Sequence, residues 1–180
     1  MRFRYLTIYL GLVLCAGVGT LHAQSRSRMP PPMPSDNTPC ADADVKAISA
    51  PSDFSISYSE GPRHADRPGR RVWIAVDANG AVEYFIGDTA GRKGAHTTLP
   101  AQRRRIASVA VGRMYARALS CGFFDLKPYY ANPRVRDGGY RRLAVTADGK
   151  THSVVVSYSR VRRFSSIVET LRREAGLPSY

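Results

Sequence analysis

Residues 140–157 read YRRLAVTADGKTHSVVVS and carry the clearest structural signal in the chain. Two strand-like runs flank Asp148-Gly149, a pair typical of the tight type I′ turn that joins antiparallel strands. A two-residue turn pairs Leu143 with Val154, so alternation places the apolar side chains on one face and the polar ones on the other. The stretch therefore predicts a hairpin that lies on a core with one face and meets water with the other.

A similar stretch lies upstream, where residues 72–87 read VWIAVDANGAVEYFIG around a turn at Asn79-Gly80. The same two-residue turn predicts that Val72, Ile74, Val76 and Phe85 point inward and that Trp73, Ala75, Val82, Tyr84 and Ile86 point outward. This outward face is apolar, unlike its counterpart. Either another segment covers it, with a strand at 54–58 as the candidate, or it binds a partner. We favour cover by the protein itself.

Each hairpin lies upstream of a helix-like segment. The second segment, about 161–175, has one apolar stripe, and Gly176 and Pro178 follow it as helix-ending residues. That stripe consists of Phe164, Ile167, Val168, Leu171 and Ala175. The first segment runs from Pro100 to about Ser120, and Gly112 interrupts its more diffuse stripe.

Together these patterns predict an α+β fold. We expect an antiparallel sheet built from two similar hairpin-plus-helix units, with the helices packed on one face of the sheet. The turn glycines of the hairpins recur at a spacing that suggests an internal duplication, of about 54–120 and 121–176.

The N-terminus has the layout of a secretory signal peptide over residues 1–23. Arg2 and Arg4 precede an apolar stretch from Leu6 to Val18, and the small residue Ala23 stands at the expected cleavage position. Residues 24–39 hold five prolines and predict a semi-rigid linker, so residues 40–180 form the single folded domain. We therefore expect a periplasmic or secreted protein that does not span the membrane once the leader is removed.

Removal of the leader would leave two cysteines, Cys40 and Cys121. An oxidising compartment favours a disulfide between them, and two buried free thiols are the alternative. We favour the disulfide.

The chain is strongly basic, with 27 Lys plus Arg against 14 Asp plus Glu and a formal net charge of +13. Such a surplus attracts polyanions. In an envelope these would be lipopolysaccharide, anionic lipid or wall polymers, whereas no sequence signature supports specific nucleic-acid recognition. The arginines recur in short runs, of which Arg103-Arg104-Arg105 is the longest. A solvated arginine-rich surface is the simpler interpretation of these runs.

Catalytic and metal-binding motifs are missing from the sequence. No nucleophile elbow, zinc-protease motif or glycine-rich phosphate loop occurs. His64, His96 and His152 have no ligand spacing, although Cys121 could act as a nucleophile with His96. We therefore assign no catalytic residue, no metal ligand and no cofactor.

Several turn and core residues occur in an order that resembles an uncharacterised bacterial envelope domain family, over roughly residues 54–175. The order is Gly61-Pro62, Asn79-Gly80, Tyr84, Gly94, Phe124, Leu126, Tyr129-Tyr130, Asp137 and Asp148-Gly149-Lys150. The resemblance implies an exported α+β module and supplies no catalytic residues.

Two functions remain for an exported domain of this kind. The first is a non-catalytic binding module of the bacterial envelope, whose partner is a protein or a polyanion. Its candidate interaction surface consists of Trp73, Tyr84, Ile86, Arg103, Arg104 and Arg105. The alternative is a small periplasmic hydrolase whose site residues converge only in the folded chain.

Overall fold

The structure is a computed structural model that describes residues 36–41, 47–62, 69–89, 100–135 and 139–178. The predicted leader and residues 24–35 of the predicted linker lie outside the described residues, as do His64, His96, Gly94 and Asp137. The strands are β1 Ser55–Gly61, β2 Gly69–Asp77, β3 Ala81–Thr89, β4 Gln102–Arg105, β5 Tyr129–Ala131, β6 Tyr140–Ala147 and β7 Lys150–Ser157. The helices are α1 Ser108–Ser120 and α2 Arg162–Glu174, and a 3-10 turn spans Phe123–Asp125.

The strands form one seven-stranded sheet in the order β4-β3-β2-β1-β6-β7-β5. All neighbours are antiparallel except β5, which runs parallel to β7. Helices α1 and α2 pack together on one face, and the most buried side chains lie between them and the sheet. These include Ile56, Ile74, Leu143, Val154, Phe164 and Leu171. The structure is thus a mixed α+β fold with a mostly antiparallel sheet, as the sequence predicts.

The downstream hairpin, β6–β7, is confirmed. Asp148 and Gly149 have φ angles of 51° and 72°, which is the left-handed pair that a type I′ turn needs. Leu143 pairs with Val154, and both are fully buried. The Asp53 carboxylate accepts the backbone N–H groups of Asp148 and Gly149 at 3.0 Å and 2.6 Å. The hydrogen bond from Gly149 in particular holds the pKa of Asp53 below its usual value.

The upstream hairpin, β2–β3, has a different turn from the predicted one. Val76 pairs with Val82, so the loop contains one residue more than the predicted two. Gly80 has a φ of 76°, whereas Asn79 is not in the left-handed region that a type I′ turn requires. The Asp77 carboxylate accepts the N–H groups of Asn79 and Ala81, which stabilises the wider loop.

The extra loop residue reverses the faces predicted for β3. Because side chains alternate along a strand, a shift of one residue turns every side chain to the opposite face. Val82, Tyr84 and Ile86 therefore lie on the helix-covered face, and Phe85 lies on the other face opposite Trp73. The predicted covering strand does not cover Trp73, since β1 lies beside β2 within the sheet.

The hairpins do not confirm an internal duplication. Strands β2 and β6 both run antiparallel to β1, so they point in the same direction, while β3 and β7 lie on opposite sides of them. Superposing one hairpin on the other requires a half-turn about the strand direction. That rotation would turn the helix-covered face of the hairpin away from the helices.

Helix α2 follows its prediction, and helix α1 is shorter than predicted. The predicted stripe of α2 is buried, and Gly176 follows the helix with a φ of 64°. Helix α1 begins at Ser108 and not near Pro100, because residues 102–105 pair with β3 as an edge strand. Gly112 lies under the Ile48 carbonyl, which a Cβ would approach to 2.3 Å.

Residues 36–41, which precede the sheet, form bonds to both helices. The Asp36 carboxylate pairs with the Arg163 guanidinium, and its backbone bonds to Arg160 and Arg162 at the start of α2. The disulfide between Cys40 and Cys121 joins the same segment to the end of α1. Residues 36–39, predicted as linker, therefore contact the fold.

Replacing both cysteines, as in Cys40→Ser with Cys121→Ser, should lower the free energy of unfolding by roughly 4 kcal/mol, because the disulfide closes a loop of roughly 80 residues in the unfolded chain. Urea denaturation of the oxidised protein and the double variant measures the difference. Dithiothreitol should shift the oxidised protein toward the variant and leave the variant unchanged. An oxidised protein that does not respond to the reductant would contradict the role of this bond.

Two turn glycines with similar φ angles form a matched pair for substitution. Gly149→Ala should cost about 1 kcal/mol from left-handed strain alone, since its added Cβ would meet nothing within 4 Å. Gly80→Ala should cost at least twice as much, because its Cβ would lie 2.4 Å from the Ile106 carbonyl oxygen. Urea midpoints of the two variants test this order, and equal midpoints would show that the Ile106 contact does not constrain the turn.

Candidate functional site

The sheet face that neither helix covers, called the open face here, carries a row of aromatic and basic side chains. Trp73 lies opposite Phe85 on one neighbouring strand and opposite Ser59 on the other. Ser59 in turn lies opposite Arg142. Trp73 and Phe85 are half-buried and Arg142 is exposed. The row therefore offers apolar ring surface and a guanidinium within the width of four strands.

The centre of the open face is lined by small side chains. Strand β1 contributes Ser55, Ser57 and Ser59, and Ser57 lies between Ala75 and Ala144 of the flanking strands. Toward the β2–β3 turn lies a depression of about 400 Å³, which residues of β1, β2, β3 and β4 line.

Arginines outnumber carboxylates on the open face. The strand arginines that point to it are Arg71, Arg103, Arg105 and Arg142, and the carboxylates are Asp77 and Glu83. Arg103 forms an exposed ion pair with Glu83 at 2.9 Å, and Arg142 donates to the Ser153 hydroxyl at 2.9 Å. Asp77 is engaged by its own turn. The described strands thus present a net positive charge on this face.

The sheet divides the predicted interaction surface between its two faces. Trp73, Arg103 and Arg105 lie on the open face, whereas Tyr84, Ile86 and Arg104 lie on the covered side. The Arg104 Cζ atom lies 4.8 Å from the centroid of the Tyr84 ring, and the Arg104 guanidinium donates a hydrogen bond to the Gly176 carbonyl. The prediction that Trp73 and Tyr84 share a face is therefore wrong, because the β2–β3 loop is one residue longer than expected.

Phe85, Arg71 and Arg142 also belong to the open face, although they are not among the residues predicted for the interaction surface. Asp77, directly before the loop, carries the signal that would have revealed Phe85. An Asp side chain commonly accepts backbone N–H groups of the turn that follows it, as Asp77 does here.

A second feature, called the arginine cleft here, lies on the covered side at the end of the sheet opposite the turns. It has a volume of about 530 Å³ and opens between α2 and the ends of β1, β2 and β6. Its charged and phenolic lining consists of Tyr58, Glu60, Arg70, Arg141, Glu169 and Arg172. No pattern in the sequence indicated it, since these residues come from four separate elements.

Two of the guanidinium groups in the arginine cleft lie over aromatic rings. The Arg172 Cζ atom lies 5.5 Å from the centroid of the Tyr58 ring, and the Arg141 Cζ atom lies 5.6 Å from that of Phe164. Arg172 is only 5% exposed. Glu60 Oε2 accepts the Tyr58 hydroxyl at 2.6 Å and lies 3.7 Å from the Arg172 guanidinium. Burial, followed by the hydrogen bond to Glu60, raises the pKa of Tyr58 far above its usual value.

Cys121 and His152, the described residues considered for catalysis, both have other interaction partners. Cys121 is in the disulfide with Cys40. His152 packs edge-on to the Phe123 ring, and its Nε2 atom lies 2.9 Å from the Leu126 carbonyl oxygen. The described ranges contain no cluster of three or more side chains suited to a metal ion. Neither described helix has the length and apolar content needed to cross a bilayer.

Comparison with known proteins adds no family, since no protein-family model matches the chain and the search of curated proteins finds no significant relative. The resemblance to an envelope domain family therefore stays a prediction that depends on the residues quoted above.

The Tyr58→Phe variant should change how stability depends on pH. Because folding raises the pKa of Tyr58, its proton stabilises the folded state below the unfolded pKa of about 10, and this contribution is lost as pH rises further. We expect the variant to be less stable at neutral pH, because the Tyr58 hydroxyl no longer donates to Glu60. We also expect its stability to decline less steeply above about pH 10.

Urea denaturation of the wild type and the variant at neutral and alkaline pH measures both effects. Burial also raises the pKa of Tyr115, whose hydroxyl donates to Asp148. The alkaline decline should therefore be reduced in the variant and not abolished. Equal slopes for the two proteins would contradict a buried, protonated Tyr58 in the folded state.

Proposed function

We propose that the chain is an exported, non-catalytic binding module of the bacterial envelope that holds a phosphate-bearing polyanion along the open face. The observation that carries this proposal is the set of Arg71, Arg103, Arg105 and Arg142 around the half-buried pair Trp73 and Phe85. Export and envelope location rest on the leader-like N-terminus and on the disulfide, which is typical of oxidising compartments.

The charge of the open face favours an anionic partner. The centre of the open face carries the serines of β1, whose hydroxyls can bond to phosphate or sugar oxygens. Arginine binds phosphate in a bidentate manner, and its weak hydration makes that contact favourable at an exposed site. Protein interfaces are likewise enriched in aromatic residues and arginine, so the partner class is decided here by the excess of arginines over carboxylates on the open face. Charge complementarity thus points to lipopolysaccharide phosphates or a phosphate-bearing wall polymer.

The hydrolase alternative gains no support from the described residues. Its proposed nucleophile, Cys121, has no free thiol in the disulfide, and His152 is packed on Phe123. We therefore retain the binding module as the proposed function.

Titration with lipopolysaccharide and with inorganic polyphosphate at several salt concentrations tests the proposal. Trp73 is the single tryptophan of the chain, so its fluorescence reports binding at the open face directly. We expect the fluorescence to change on binding and the affinity to fall steeply with salt. Arg142→Gln should weaken binding and reduce the salt slope by about one, since each phosphate contact contributes about that much.

Arg162→Gln is the matched control, because Arg162 is exposed at the start of α2, in the helical layer. It removes the same charge from the other side of the sheet and should leave binding nearly unchanged. Equal losses in Arg142→Gln and Arg162→Gln would show attraction by net charge alone and would refute a site on the open face. A Trp73 signal that responds to a captured protein but not to polyanions would also refute the proposal.

A further inference from the structure

We propose that a depression between the segment 36–41 and helix α2, called the Arg160 pocket here, binds a phosphate monoester. Its volume is about 490 Å³, and its lining consists of Asn37, Arg141, Arg160, Val161, Arg162 and Ser165. The phosphate would lie between the guanidinium groups of Arg160 and Arg162. This inference goes beyond the function proposed for the open face and does not depend on it, since the Arg160 pocket borders the helical layer.

The backbone at Val161 directs Arg160 and Arg162 to the same side. Val161 is extended, with φ −126° and ψ 99°, and its side chain is buried in the core. Because side chains alternate along an extended backbone, the residues before and after Val161 both point away from the core. Both arginines are exposed and both line the Arg160 pocket. Two guanidinium groups therefore border the same space.

Hydrogen bonds to Asp36 hold this stretch of backbone in place. The Asp36 N–H donates to the Arg160 carbonyl at 3.2 Å, and the Arg162 N–H donates to the Asp36 carbonyl at 2.8 Å. The two bonds form a parallel bridge between Asp36 and Val161. The backbone of both arginines is thus positioned before a ligand arrives, which reduces the entropy lost on binding.

Arg160 and Arg162 carry charge that the described fold does not neutralise. Neither guanidinium has a carboxylate partner among the described residues, and the described lining of the Arg160 pocket contains no carboxylate. The Asp36 carboxylate is engaged elsewhere, since it pairs with Arg163 and accepts the Thr38 N–H at 3.1 Å. Two positive charges therefore remain for a ligand to balance.

The other lining groups can complete the binding of a phosphate. Arg141 lies opposite Glu60 in the sheet, so it adds hydrogen-bond donors and not an unbalanced charge. One of its five N–H groups is used, in the 3.2 Å bond to the Ser159 carbonyl. The Asn37 amide and the Ser165 hydroxyl are exposed and can also donate. Guanidinium groups suit this ligand because their N–H pairs match the geometry of phosphate oxygens.

The charge count selects a phosphate monoester. A monoester carries about two negative charges at neutral pH, because its second pKa is about 6. It therefore balances Arg160 and Arg162, whereas a phosphodiester or a carboxylate carries one charge and leaves one arginine unmatched. The volume of about 490 Å³ lies within the range of roughly 300–1,000 Å³ that is common for small-molecule sites. The Arg160 pocket thus has room for the organic part of the ester.

Nuclear magnetic resonance titrations at constant ionic strength test the proposal with glycerol 3-phosphate and dimethyl phosphate, a singly charged diester. We expect glycerol 3-phosphate to bind saturably and to shift the guanidinium signals of Arg160 and Arg162. Dimethyl phosphate should bind at least about tenfold more weakly, as expected for the loss of a charge-assisted contact. A further arm uses phosphatidylcholine vesicles that contain phosphatidic acid. Stronger shifts with these vesicles would identify a lipid headgroup as the monoester, and weaker shifts a soluble ester.

Two exposed arginines of the helical layer provide a matched pair of variants. Arg160→Gln should weaken glycerol 3-phosphate about tenfold. Arg173→Gln removes the same charge near the end of α2, where Arg173 pairs with Glu174 at 3.2 Å, and should leave binding nearly unchanged. Circular dichroism confirms that each variant is folded.

Arg162→Gln separates this site from the open face. It should weaken glycerol 3-phosphate as Arg160→Gln does. It should still leave the Trp73 fluorescence response to polyphosphate nearly unchanged, because Trp73 reports the open face alone.

Three results would overturn the phosphate monoester site. They are equal binding of glycerol 3-phosphate and dimethyl phosphate, equal losses in Arg160→Gln and Arg173→Gln, and the absence of saturable binding by the folded wild type. None of them bears on the open face, whose failure would appear only in the Trp73 titrations with polyanions.

Discussion

The central constraint on this fold is that helices cover only one face of the sheet. Helices α1 and α2 pack on one side, so the period of two along each strand decides whether a residue belongs to the core or to the open face. Strand β1 sets this assignment for both halves, because it pairs with β2 on one side and β6 on the other. Ile56 and Tyr58 project from it into the core, and Ser57 and Ser59 project from it to the open face.

The segment at 36–41 connects the two helices of the helical layer. It links the end of α1 through Cys121 to the start of α2 through Arg163, and so restrains the two helices at one place. Helix α2 in turn positions Arg172 above Tyr58.

The sequence predicts the faces of a hairpin correctly where its local signals agree. It fails where one additional loop residue changes the pairing register. Asp148-Gly149 matched a two-residue turn, so the faces of β6 and β7 were predicted correctly. The apolar stripe of α2 likewise agreed with its ending signal. Asn79-Gly80 looks like the same turn, yet the loop that contains it is longer, and every side chain of β3 was assigned to the wrong face. The arginine cleft is formed by tertiary contacts, which no local pattern records.

The arginine doublets show why sequence spacing alone concealed both surfaces. Two doublets lie in strands on either side of β1, and alternation sends the members of each to opposite faces. Arg70 and Arg141 line the arginine cleft, whereas Arg71 and Arg142 point to the open face. The arginines are dispersed along the sequence. The sheet therefore separates their guanidinium groups into two sets, one on each face. One set lies on the open face, and the other lines the arginine cleft.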